Sequence, residues 1–293
     1  MSTSPSQPES PYGPVTGPLV GLAMKEMVRR AIKVIRNQRF VFDARKKDHL
    51  DETLDDLVTT ADHEAQKVYL RAIGKCFPEY GVIAEEDELR VPCRIPNRQL
   101  HFMVDPLDGT KAFARRQSAG VGTMIALVDG REVIAAYVGD IMTQEIYGYR
   151  PGSTKVYRLS EFEIAEALVT EPRPLAGSYV LLRQQPKDLI EPVAELVERF
   201  LGVDVEGGSI GISYARLWKQ ECDALLLGPH FTTPWDSAPI IGISKMLGYK
   251  CLKIDGQGRL EEIDPYPPLA PARNDFYLLV VKECLLKEIV TDS

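Results

Sequence analysis

Between residues 100 and 113 the chain reads Leu-His-Phe-Met-Val-Asp-Pro-Leu-Asp-Gly-Thr-Lys-Ala-Phe, an apolar run that stops at two carboxylates three positions apart. Residues 100–104 are predicted to form a buried strand. Pro106 is expected to end that strand, because proline has no N–H for a ladder, and Gly109 permits a tight turn. Asp105 and Asp108 would then stand together at a strand end, where they repel one another and resist desolvation. Hard divalent cations bound through oxygen remove that cost, so the spacing predicts a metal site. A turn alone needs one aspartate and one glycine, not a second carboxylate beside a buried strand.

Other acids stand in comparable places: Asp62 near a predicted helix start, Glu85 and Glu86 after the apolar residues 80–84, and Asp236 before another helix. Each has an ordinary reading. Asp62 can cap its helix, and Glu85-Glu86-Asp87-Glu88 can be a solvated run of charge. Asp236 makes a natural N-cap for a helix over residues 237–247, with Pro239 tolerated at its third position. The repetition argues for reading them jointly, because ligands in α/β layers collect where strand ends and helix N-termini converge.

The elements that would position these acids follow from periodicity. Apolar residues at helical spacing predict a helix over 19–35. Thr59 and Asp62, in capping-box spacing, open a second helix that runs to about Cys76. Residues 122–128 and 131–138 flank Asp129-Gly130, a strong hairpin signal, and residues 144–149 extend that antiparallel sheet. Beyond Pro174 the pattern alternates: strands at 178–182, 203–205, 224–227, 249–254 and 276–281, with helices over 189–200, 209–219 and 237–247. Such alternation implies α/β layering. The expected divisions are a flexible Pro/Ser-rich tail (1–18), an amino-terminal α+β half with most of the acids (19–160) and a carboxy-terminal α/β half that supplies Asp236 (161–293).

Composition narrows the function classes. The chain has 293 residues, 44% of them hydrophobic, and a formal net charge of −7. It can bury a large core, and its acidity argues against non-specific nucleic-acid binding. Five cysteines without a C-x-x-C pair suit free thiols in a reducing compartment. The four histidines share no metal-ligand spacing, and none is assigned to catalysis. No apolar stretch approaches the ~20 residues that span a bilayer, and the tail carries no signal-peptide core. A cytoplasmic protein without membrane or nucleic-acid partners is the expectation.

Taken in order, Leu57-Val-Thr-Thr-Ala-Asp62, Val82-Ile-Ala-Glu85-Glu86, Asp105-Pro-Leu-Asp-Gly-Thr110, Gly207-Gly-Ser209 and Trp235-Asp-Ser-Ala238 resemble the successive motifs of the inositol monophosphatase family, magnesium-dependent and lithium-sensitive phosphatases. The resemblance covers most of the chain and implies an α-β-α-β-α sandwich. It also implies two Mg2+ ions and a third, weaker one as an option. Glu85, Asp105 and the carbonyl of Leu107 would hold one, and Asp105, Asp108 and Asp236 the other. Thr110 would orient the attacking water, with Asp62 accepting the threonine proton and Glu85 assisting as base; Glu86 would act through water or the third ion. The N–H groups of Gly109 and Thr110 would bind phosphate, and Gly208 and Ser209 would touch the alcohol. Direct attack by water without a phosphoenzyme, a small phosphorylated substrate and a homodimer complete the implied picture.

The chain also departs from that pattern. Family members that act on inositol phosphates carry an acidic residue about seven positions before the Trp-Asp motif, near where this chain has Pro229, and the loop over 227–234 looks about two residues longer. Thr110-Lys-Ala-Phe113 is closer to branches acting on histidinol phosphate or 3′-phosphoadenosine 5′-phosphate. Alternatives therefore stay open: a phosphatase for an inositol-phosphate-like or histidinol-phosphate-like alcohol, a nucleotide or sugar bisphosphate phosphatase using Lys111, Arg115, Arg116 or Arg183 for the second phosphate, and a regulatory binding module with incidental activity.

Overall fold

The computed structural model describes residue 12 and residues 15–46 and 57–291. Helix α1 (Gly17–Gln38) buries Val20, Met24, Val28, Ala31 and Ile35 along one face, as its periodicity dictates. It opens at Gly17, inside the stretch expected to be tail, with Pro18 in the first turn where a missing N–H costs nothing. Most of that expected tail lies outside the described residues. A short antiparallel ribbon, β1 (Ala44–Lys46) with β2 (Leu57–Thr59), leads into α2 (Thr60–Cys76), which starts with the anticipated capping box.

The first sheet then forms from β3 (Gly81–Ala84), β4 (Arg90–Val91), β5 (Leu100–Asp108), β6 (Gly122–Asp129), β7 (Glu132–Asp140), β8 (Ile146–Tyr149), β9 (Tyr157–Leu159) and β10 (Ala165–Ala167). Their order is β10-β9-β8-β7-β6-β5-β3-β4, and only β3 and β5 run parallel. The predicted β6–β7 hairpin forms with its turn at Gly130-Arg131, one residue later than expected because Asp129 still pairs with Glu132, and Gly130 adopts φ 62°. A single turn of helix, α3 (Thr110–Ala114), follows β5.

The second sheet contains β11 (Tyr179–Leu182), β12 (Gly202–Val205), β13 (Ala224–Leu227), β15 (Tyr249–Ile254), β16 (Leu260–Ile263) and β18 (Tyr277–Lys282), in the order β12-β11-β13-β18-β15-β16. The ribbon β14 (His230–Thr232) with β17 (Ala272–Asn274) stands beside it. Its helices are α4 (Glu191–Glu198), α5 (Ile210–Trp218), α6 (Pro234–Met246) and α7 (Glu283–Thr291).

Side-chain alternation builds the layers. On β5, Phe102 and Val104 pack with α1 and α2, whereas Met103 faces the opposite way. On β11, Val180 and Leu182 pack with α4 and α7, whereas Leu181 faces inward. Between the sheets lie α5 and α6, with Trp218, Ala238 and Ile243 buried. The order is thus α1/α2, first sheet, α5/α6, second sheet, α4/α7, the expected α-β-α-β-α sandwich. Each large aliphatic side chain buried in these layers contributes about 2 kcal/mol, so the central helices are held firmly from both sides.

Candidate functional site

The expectation that Pro106 ends the strand is corrected by the fold. β5 continues to Asp108 through a bulge: Asp105 pairs with Met124 and Asp108 with Gly122, three residues of advance against two on β6. Pro106 sits in that irregularity, where no ladder donor is required. The bulge also decides the chemistry. In a regular strand, residues three apart face opposite sides; the extra residue lets Asp105 and Asp108 point into one space. Oxygens of Asp105, Asp108 and Asp236 all lie within 4.8 Å of one another.

Asp236 arrives from α6. The N-cap of that helix is Thr233, whose hydroxyl accepts from the N–H of Asp236 at 3.2 Å, so the simple capping role considered for Asp236 is excluded. Pro239 falls inside the helix beyond its third position, where the carbonyl of Trp235 loses its usual donor. Trp235 itself packs in the core between the sheets.

Burial raises the pKa of every member of this group. Asp105 is raised well above its ordinary value by desolvation and then by the charges of Glu85, Asp108 and Asp236. Asp236 is pushed up to about 7, by desolvation first and the charge of Asp108 second. A divalent cation would compensate these crowded charges. Oxygen-only donors, clustered and desolvated, fit a hard ion such as Mg2+.

Asp62 and Thr110 meet from segments distant in sequence. Thr110 Oγ1 lies 3.0 Å from both Asp62 Oδ1 and the carbonyl of Leu107, and its one proton is shared between these acceptors. The other carboxylate oxygen of Asp62 accepts from the N–H of Thr59 at 2.7 Å and from its hydroxyl at 2.5 Å. The side chain therefore caps α2 and serves Thr110 at once. Desolvation raises its pKa to about 6, the charge of Glu85 adds to this, and the Thr59 and Thr110 hydrogen bonds oppose it.

Glu85 and Glu86 follow β3, next to β5. The amide of Gln66 clamps the backbone here, donating to the carbonyl of Glu86 at 2.9 Å and accepting its N–H at 3.0 Å. Glu86 is buried, so the solvated-run reading fails for it. Nothing in the spacing of α2 marks Gln66 for that role.

Asp108 does more than its sequence position suggested. Its carboxylate accepts from Ser209 Oγ at 2.5 Å, from the N–H of Ile210 at 3.0 Å and from the N–H of Gly211 at 2.7 Å, holding the N-terminus of α5 from across the molecule. Ser209 is fully buried and is the N-cap of α5, so its hydroxyl is committed to Asp108 and to Ile212 N–H instead of an open cleft. Arg183 donates to the carbonyls of Gly208 and Ser209 at 2.6 and 2.8 Å and to Ser213 Oγ at 2.7 Å. It positions this loop and is spent as a partner for a second phosphate. Lys111, Arg115 and Arg116 are exposed. Gly109 (φ 87°) and Gly208 (φ 88°) allow the close approach: a Cβ would come within 2.4 and 2.6 Å, respectively, of the Gly120 carbonyl.

With this geometry in place, comparison with known proteins is decisive at the family level. Residues 20–277 match the sequence profile of the inositol monophosphatase family. The chain belongs to that family. The inositol-1-monophosphatase of Bacillus subtilis (strain 168) is 24% identical over 214 residues, covering 69% of this chain and 74% of that one. A Nus factor SuhB of Xylella fastidiosa is 27% identical over 110 residues, and the match spans only 38% of the length of either protein. Among solved structures, SuhB from Bartonella henselae superposes with a TM-score of 0.71 at 17% identity, over 92% of this chain and 96% of that one. An IMPase/NADP phosphatase solved with Mg2+ and phosphate superposes at 0.66 and 17%, over 94% and 95%. These likenesses show that the fold is shared.

Proposed function

We propose that the chain is a magnesium-dependent phosphomonoesterase that hydrolyses the phosphate of a small alcohol by direct attack of water. One observation carries this reading: three carboxylates from β5 and α6 converge beside a threonine hydroxyl already hydrogen-bonded to a buried aspartate. Family membership and the Mg2+ and phosphate present in a structural relative support it.

Glu85, Asp105 and the Leu107 carbonyl would hold one magnesium, and Asp105, Asp108 and Asp236 a second. Bound there, the ions supply Lewis acidity and lower the pKa of a water. The remaining work falls to the protein. With its proton directed to Asp62 and the Leu107 carbonyl, the Thr110 hydroxyl keeps its lone pairs to accept from the attacking water and fix its direction. Glu85 takes up the water's proton, and Glu86 acts at a distance. The N–H groups of Gly109 and Thr110 orient phosphate oxygens, and Gly208 and Ser209 shape the far wall. We further propose lithium sensitivity, a homodimer and a cytoplasmic location; among the described residues no helix is long and apolar enough to cross a membrane.

The test is phosphate release from a panel of phosphorylated alcohols with magnesium, after chelation, and with Asp105→Asn. Release that requires magnesium and disappears in the variant is expected. Release that survives chelation overturns the mechanism, and intact metal binding without turnover of any phosphomonoester favours a binding role.

A further inference from the structure

A cavity of about 910 Å³ begins at Asp236 and runs away from the acidic cluster along α6. Its floor is one face of that helix, Asp236 and Ser237, then Ile240 and Ile241, then Ser244 and Lys245, at the spacing that puts residues four apart on one side. At 1.5 Å per residue this floor is about 14 Å long. That length far exceeds what a compact polyol fills.

The facing wall comes from the longer loop noted in the sequence. Instead of an irregular loop it forms β14, paired with β17, and places Phe231 over the space with Tyr266 and Phe276 beside it. Phe231 and Tyr266 are 44% and 53% exposed, aromatic surface that an apolar occupant would cover. The charge of the lining is also informative. It holds Lys245 and Lys250 against Asp236, Glu262 and Asp264, two cations to three carboxylates. Each lysine is already bound to an acid: Lys245 to Asp264 at 2.6 Å and Lys250 to Glu262 at 3.1 Å. Neither lysine of the lining is free for a second phosphate, and the nearby guanidinium groups of Arg131 and Arg273 lie over the rings of Tyr266 and Phe231, at 4.3 and 5.7 Å from their centroids.

One polar group near the inner end suits a hydroxyl. His230 has Nδ1 at 2.7 Å from the carbonyl of Gly228, which fixes the proton on Nδ1 and leaves Nε2 as an acceptor. Burial lowers its pKa and favours this neutral form. It stands next to Pro229, where the family's inositol-type members are expected to carry an acid.

We propose that this slot receives the alcohol portion of the substrate, and that the alcohol is uncharged, elongated and largely apolar, with a ring or alkyl chain laid along α6 beneath Phe231 and Tyr266. The assignment of this occupant as a leaving group rests on the phosphatase reading above.

The experiment compares kcat/KM, with magnesium, for 4-phenylbutyl phosphate, glycerol 2-phosphate, inositol 1-phosphate and adenosine 3′,5′-bisphosphate. It is paired with calorimetric titration of 4-phenylbutanol into the chelated protein. We expect 4-phenylbutyl phosphate to exceed glycerol 2-phosphate by about tenfold or more, carried by KM, because each buried methylene adds discrimination. Ile241→Trp, which narrows the slot, should shrink that ratio. Equal kcat/KM across the panel, or preference for the bisphosphate, overturns the proposal. Saturable phenylbutanol binding without turnover of any ester would uphold the slot and remove the phosphatase reading, so the two failures are distinguishable.

Discussion

Thr110 and Asp62 lie 48 positions apart in the chain yet share a hydrogen bond, and each has a second duty in the fold. Asp62→Asn keeps the shape but no longer accepts as a carboxylate; we expect it, like Thr110→Ala, to lower kcat by about 10²–10⁴-fold, the usual range for a lost proton-transfer partner. Steady-state kinetics with KM held in view checks this. The same burial has a pH signature. The pKa of Asp62 rises from 3.8 to about 6 and that of Asp236 from 3.8 to about 7. A carboxyl with a folded pKa above its unfolded value binds protons more tightly when folded. Its cost is therefore absent below about pH 4, grows between pH 4 and 7, and is constant above. For Asp62 the full cost is about 3 kcal/mol. Metal-free protein should lose thermal stability across that window, and saturating magnesium should flatten the profile; a Tm that climbs from pH 4 to 7 without metal contradicts this account.

Among the elements, helices α1 and α2 and the β6–β7 hairpin were legible in the sequence because local pattern determines them: an apolar stripe, a capping box, an Asp-Gly pair. Asp105, Asp108 and Asp236, which the fold brings together, stood out in the sequence as well, because each follows an apolar run or lies at a helix start. What escaped is what depends on partners. Pro106 looked like a terminator because a proline inside a strand is tolerated only at an irregularity, and the bulge is created by pairing with β6. Likewise Ser209 is drawn inward by Asp108, Gln66 and Arg183 act on backbone groups remote in sequence, and β14 exists only by pairing with β17. Gly109→Ala tests the tightest of these approaches. With φ 87° and a Cβ 2.4 Å from the Gly120 carbonyl, it should destabilise the fold by about 1–3 kcal/mol, read by urea denaturation. Ser209→Ala, which removes the N-cap of α5 and one donor to Asp108, should cost about 1–2 kcal/mol in the same measurement.

At the scale of the whole molecule, the acids of the cluster come from β5 in the first sheet and from α6 in the central layer, while Asp108 reaches from β5 to α5. Cation binding should therefore stiffen the junction between the sheets, seen as slower amide exchange in α5 and α6 when magnesium is added; protection confined to the β5 turn would argue against such coupling. Asp108 carries an implication for interpreting kindred sequences. Because it anchors a helix whether or not an ion is present, a descendant that had abandoned hydrolysis would still need an aspartate at that position to keep its shape. Its persistence says nothing about competence. Diagnosing a silent relative should rest instead on the aspartate that stands where Asp105 does here, whose carboxylate accepts the neighbouring Leu107 N–H and faces its fellow acids.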